Sequence, residues 1–151
     1  MARRKSKAEQ PTGPTRVLVV DDNADACELV ARIVESAGWT ATRCYSPDDA
    51  LDKLENGNPP FKAVIADMQS GGTGASLELL DAVRRSKDAK EVPVLLLTRN
   101  ETNRMFAWES GADAFLVRPF HAVDLINEVY AVLTRSVEER QAWREEQLAE
   151  D

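Results

Sequence analysis

No apolar run in this 151-residue chain approaches the ~18 residues that a membrane-spanning helix needs. His121 is the sole histidine, so no histidine-built metal site can be assembled. The two cysteines, Cys27 and Cys44, form neither a CxxC pair nor a framework spacing. That excludes a disulfide scaffold and makes reduced, structural thiols in a cytoplasmic protein the expectation. Aromatics make up 6% of the chain, and Trp39, Trp108 and Trp143 are not interleaved with basic residues, so base stacking finds no support. No GxGxxG follows the first apolar run, which rules out a dinucleotide site. Arg3-Arg4 has no apolar stretch behind it and is not an export signal.

What is present is a globular composition, 43% hydrophobic and 30% charged. The net charge of −7 is uneven: residues 1–16 carry +4, so the other 135 residues carry −11. An acidic body argues against nucleic-acid binding. The spacing predicts a basic, flexible tail over 1–14, one domain over 15–135 and a solvated helical extension over 136–151, too short for an output domain.

The segment RVLVVDDNADA, residues 16–26, sets four apolar residues directly against Asp21 and Asp22. The run Val17–Val20 reads as a strand buried on both faces. An apolar stripe at helical spacing follows over 24–37, closed by Gly38. Residues 40–45 read as a weaker second strand. Ser46, Pro47 and Asp49 open a helix that Gly57 ends. Residues 61–67 form a third strand ending in Asp67, and a Gly-rich loop leads to a helix containing Leu77, Leu79, Leu80 and Val83. VPVLLLT over 92–98 is the fourth strand and ends in Thr98. A short helical stretch over 103–110 stops at Gly111, AFLV over 114–117 is the fifth strand, and Arg118-Pro119 precedes a last helix starting near His121.

Five strands alternating with five helices imply an α/β fold: a doubly wound, five-stranded parallel (βα)5 sheet in the flavodoxin-like order 2-1-3-4-5. Ligand sites in such sheets lie beyond the carboxyl ends of the strands. Asp21, Asp22, Asp67, Thr98 and Arg118 therefore share one edge. Two like charges about 4 Å apart repel by roughly 4 kcal/mol at an effective dielectric near 20, so clustered carboxylates call for a cation. Mg2+ suits one or two carboxylates plus water and a phosphate. Asp67 is placed to attack a phosphoryl group, with Thr98 and Arg118 donating to its oxygens. Singly, each has a plainer reading: Asp22 or Asn23 as an N-cap, Asp67 as an ordinary strand end, Thr98 as a turn residue. Together they describe phosphoryl chemistry.

VLVVDDN, AVIAD, VPVLLLT and GADAFLVRPF, in this order, resemble the receiver domain of bacterial two-component response regulators over about residues 15–135. The resemblance implies a phosphorelay module, not an enzyme, in which a sensor histidine kinase or phosphotransfer protein phosphorylates Asp67 with Mg2+. It implies Asp21, Asp22, Asp67 and the backbone carbonyl of Gln69 as the metal set, with Asp22 direct and Asp21 through water. Thr98 and Phe115 match the switch positions. An output protein is the implied partner, and a second copy could dock through the helix 4–strand 5–helix 5 face.

The chain departs from the pattern in places. Arg118 stands where the family has Lys, and Arg99 where it has a small residue. The loop after Asp67 is longer and richer in glycine, and the Thr98–Arg118 stretch is shorter, which predicts a reduced fourth helix. An alternative follows: a pseudo-receiver interaction domain whose Arg118 and Arg99 occupy the pocket, with no phosphotransfer. A Mg2+-dependent phosphohydrolase is disfavoured by Asp21-Asp22-Asn23, which lacks a DxD arrangement.

Overall fold

In the computed structural model, which describes residues 15–57, 60–68 and 73–149, each central strand divides its side chains between two cores. The elements run β1 (Arg16–Val20), α1 (Ala24–Ser36), β2 (Thr40–Cys44), α2 (Pro47–Asn56), β3 (Ala63–Asp67), α3 (Thr73–Arg85) and β4 (Val94–Thr98). A 3-10 turn (Glu101–Asn103), α4 (Arg104–Glu109), β5 (Ala114–Val117), α5 (Ala122–Thr134) and α6 (Val137–Ala149) complete them. The strands are parallel, as the alternation predicts, and run in the expected order β2-β1-β3-β4-β5.

The continuous apolar runs follow from this sheet being covered on both faces. Leu18, Val20, Val64, Ala66, Val94 and Leu96 face one core with Leu54 of α2, Leu80 of α3 and Trp108 of α4. Their neighbours Val17, Val19, Ala63, Ile65, Leu95 and Leu97 face the other, with Val30 and Val34 of α1 and Leu125 and Val129 of α5. Successive strand residues point to opposite faces, so every position must be apolar.

Helix starts are built locally. The Asn23 side chain accepts from the Ala26 amide at 2.9 Å, and the Ser46 hydroxyl accepts from the Asp49 amide at 3.2 Å. Asn23, rather than Asp22, is thus the cap of α1, which leaves both acids available for other work. Gly111 takes a positive φ of 98° in the turn between α4 and β5, a region that favours glycine. The fourth helix is short, as expected, at six residues.

Several boundaries differ from the sequence reading, among them that of β2, which ends at Cys44 rather than at residue 45. β3 begins at Ala63 and β4 at Val94, because Phe61 and Pro93 lie just outside the ladder. The stretch over 103–110 is preceded by the 3-10 turn, and only Arg104–Glu109 is α-helical.

The extension is helical and α6 is exposed along most of its length, as expected, but its inner face is docked. Ser136 and Glu139 form a reciprocal cap, with the Glu139 amide donating to the Ser136 hydroxyl at 3.0 Å and the Ser136 amide to the Glu139 carboxylate at 2.8 Å. Trp143 and Leu148 pack on the core beneath α2, α3 and α4. Arg140 and Arg144 each place Nη1 3.0 Å from Asp113 Oδ1, and Arg84 Nη2 lies 2.5 Å from Oδ2 of the same carboxylate. Asp113 is 1% exposed, so a buried charge at the start of β5 draws its counter-ions from two helices.

Candidate functional site

The parallel register brings the strand ends level. Val20 pairs with Ala66, Asp67 with Leu97 and Thr98 with Val117, so Asp21, Asp67, Thr98 and Arg118 follow one another across the carboxyl edge. Backbone bonds extend the ladder there: the Asp21 amide donates to Cys44 O at 3.0 Å, Met68 to Leu97 O at 2.7 Å and Arg118 to Thr98 O at 2.7 Å.

Asp21 is 3% exposed, whereas Asp22 is exposed. The Arg118 guanidinium lies between two acids, with Nη2 3.6 Å from Asp21 Oδ2 and 3.8 Å from Asp67 Oδ2. These are ion-pair distances, too long for good hydrogen bonds. Accordingly Asp21 Oδ2 and Arg118 Nη2 and Nε are buried with no hydrogen-bond partner. Burial pushes the Asp21 carboxyl up to about 6. The Asn23 amide, donating to Oδ1 at 2.9 Å, pulls it back; the neighbouring Asp67 raises it further and Arg118 lowers it. Burial and the neighbouring acid thus make Asp21 harder to ionise than an ordinary carboxyl.

An orphaned carboxylate oxygen beside a second acid fits a hard cation, and Mg2+ is the one this donor set suits. Among the described residues no three acidic, cysteine or histidine side chains, Asp21, Asp22 and Asp67 included, are grouped so as to hold a metal ion by themselves. Mg2+ does not require such a group, since it keeps several waters. Gln69 lies outside the described residues.

Thr98 is fully buried, and its hydroxyl is engaged by the loop that follows it. The Asn100 amide donates to Oγ1 at 3.1 Å and Asn103 Nδ2 donates to it at 3.0 Å. Phe115 is 7% exposed, and the Arg104 guanidinium sits 5.3 Å from its ring centroid. Arg104 is also paired with Glu101. Sequence reasoning missed Asn100, Asn103 and Arg104, whose only local signal is an Asn-containing turn directly after a strand.

Arg99 is exposed and lines a groove of about 410 Å3 with Leu29, Ile33, Arg118, Pro119 and Phe120. The Arg118–Pro119 peptide is cis, and the Arg118 guanidinium lies 5.6 Å from the Phe120 ring. Arg118 is therefore brought to the two acids as expected, with Arg99 on the rim of the groove beside it.

Residues 17–130 match the family described as the response regulator receiver domain. The chain belongs to that family. Among curated relatives, the receiver is 30% identical over 123 residues to the phosphate regulon transcriptional regulatory protein PhoB of Klebsiella pneumoniae, covering 80% of this chain and 52% of that protein. It is 28% identical over 127 residues to the transcriptional regulatory protein ResD of Bacillus subtilis, covering 83% and 50%. The chain thus spans about half the length of these relatives. Among solved structures, a putative response regulator from Chloroflexus aurantiacus superposes with a TM-score of 0.74 at 29% identity, covering 82% of this chain and 100% of that one. The chemotaxis response regulator CheY4 of Vibrio cholerae gives 0.71 at 25%, covering 80% and 99%. Among the described residues no helix is long and apolar enough to cross a membrane.

Proposed function

We propose that this receiver accepts a phosphoryl group on Asp67 from a sensor histidine kinase or phosphotransfer protein, with Mg2+ in the pocket, and signals by binding an output protein. The observation that carries the reading is the loose ion pair at the strand ends: Asp21 Oδ2 and Arg118 Nη2, buried beside Asp67 at ion-pair distance and with no hydrogen-bond partner. Buried polar atoms without partners are costly, and such atoms in a pocket are placed for something that arrives.

In the transfer, a carboxylate oxygen of Asp67 attacks phosphorus. The new P–O bond forms as the P–N bond to the donor histidine breaks, and the electron pair stays on the imidazole. Asp21, Asp22 and the Gln69 carbonyl would hold Mg2+ with Asp67, and the ion would offset charge on the phosphoryl oxygens. Arg118 extends its guanidinium toward the same oxygens, and Thr98 supplies a hydroxyl donor. Phe115 of β5, opposite Leu96 of β4, is the second switch group. The module carries a modification and is read by binding, rather than turning over a substrate. A cytoplasmic location belongs to the same reading. So do a tail over 1–14, a receiver domain over 15–135, and a second copy meeting it through α4, β5 and α5.

A specific observation favours a second reading. Arg118 already stands between Asp21 and Asp67, as the internal cation of a pseudo-receiver would, with Arg99 beside it on the groove rim. Full-chain protein incubated with acetyl phosphate and Mg2+ decides between the two by intact-mass spectrometry. The receiver reading expects one phosphoryl adduct, labile to base and absent from Asp67→Asn. No adduct with any donor supports the pseudo-receiver.

A further inference from the structure

The two groups assigned to switching, Thr98 and Phe115, are both gripped by one four-residue stretch, Glu101 to Arg104. A threonine hydroxyl has one proton to donate and two lone pairs to accept with. At Thr98 both accepting positions are filled, by the Asn100 amide at 3.1 Å and by Asn103 Nδ2 at 3.0 Å. The hydroxyl's own nearest acceptor is Asn100 O at 3.5 Å, the outer limit of a hydrogen bond. The Asn100 contact is a local turn two residues on from Thr98 and can move with the backbone. The Asn103 contact is a side-chain grip from the far end of the turn.

That grip is anchored. Arg104, the next residue, lies over the Phe115 ring at 5.3 Å and pairs with Glu101 at the start of the same turn. Asn100 Oδ1 accepts from both the amide and the hydroxyl of Thr102, at 3.0 and 2.7 Å, which closes the turn on itself. Asn103 is thus held over Thr98 by contacts on either side.

We propose that this turn is a latch on the switch threonine, and that Asn103 is the positioning residue that sets how readily the pocket takes a phosphoryl group. The proposal rests on the receiver reading. The Thr98 proton is free to donate, so the competition is one of position: Thr98 moves toward a phosphoryl oxygen on Asp67, and Asn103 holds the hydroxyl oxygen back. The bond to Asn103 therefore counts against the phosphorylated state, and Arg104 on Phe115 keeps the turn in place to make it.

Titrating the full chain with beryllofluoride and Mg2+, followed by backbone amide shifts, tests this. Loss of one side-chain hydrogen bond from the resting state should tighten binding about fivefold in Asn103→Ala. A residue with a merely structural role would weaken binding when removed. Arg104→Ala, which frees the anchor without touching Thr98, should shift binding in the same direction and decides the matter if Asn103→Ala does not fold. In a Thr98→Ala background, Asn103→Ala should add nothing. Unchanged or weaker binding in both single variants, with wild type binding normally, overturns the latch and leaves the receiver reading standing. Binding by neither wild type nor variants overturns the receiver reading and the latch with it.

Discussion

Arg118 Nη2 stands 3.6 Å from Asp21 and 3.8 Å from Asp67, close enough to offset both charges and too far to hydrogen-bond either well. A guanidinium held this loosely can turn to a phosphoryl oxygen at little cost. Arg118→Lys should therefore phosphorylate at close to the wild-type rate. Arg118→Ala should lose about tenfold or more, the worth of one charge-assisted hydrogen bond. Side-by-side phosphorylation of the three proteins checks it. A clear gain in the Lys variant would show instead that the arginine locks the pocket.

Mg2+ should raise the melting temperature of wild-type protein, because a ligand that binds only the folded state stabilises it. Asp22→Ala should remove most of that rise, even though Asp22 is exposed and contributes little to folding in the absence of metal. In Arg118→Ala the rise should be larger than in wild type, since the pocket has lost its internal cation. Thermal melts with and without the ion read all three.

Asp113 is buried among Arg84, Arg140 and Arg144, and its Oδ2 also accepts from the Val94 amide at 2.8 Å. Asp113→Ala would leave three guanidiniums, Arg140 buried and Arg84 and Arg144 largely so, without a counter-charge, at a cost of about 3–5 kcal/mol. The expected fall in melting temperature is about 10 °C. The helix α6 should detach as well, so trypsin should cut after Arg140 and Arg144 sooner than in wild type. A melting temperature within a degree of wild type would mean that Trp143 and Leu148 alone hold α6.

Burial pushes the Glu128 carboxyl on α5 upward; Arg135 lowers it and Asp124 raises it further. A carboxyl raised above its unfolded value of about 4.3 contributes its full stability below that pH and loses it as pH rises through the folded value. Glu128→Gln should accordingly match wild type near pH 4 and melt higher at pH 7 to 8. Melting curves across that range check the sign. A variant that melts lower at neutral pH would show that the Arg135 attraction dominates.

Much of this molecule is local in origin. The runs at Val17–Val20, 63–66 and 94–97 are apolar at every position because a two-sided parallel sheet buries both strand faces, and that rule is readable residue by residue. Ser46 and Asn23 cap their helices through bonds spanning three residues. Once the strand order is known, a parallel sheet delivers Asp21, Asp67, Thr98 and Arg118 to one edge.

Tertiary structure decided the rest, because the partners of polar groups depend on distances that sequence does not encode. Arg140 and Arg144 sit among four glutamates and read as solvated charges, yet they turn inward to a carboxylate some thirty residues earlier. Thr98 reads as a donor aimed at Asp67, yet its hydroxyl oxygen also accepts from Asn103 across a turn whose conformation sets the contact. Strand positions and strand ends follow from hydrophobic burial, which is periodic and additive. The pairing of charges and hydroxyls follows from where the packed elements stop, and only the folded chain determines that.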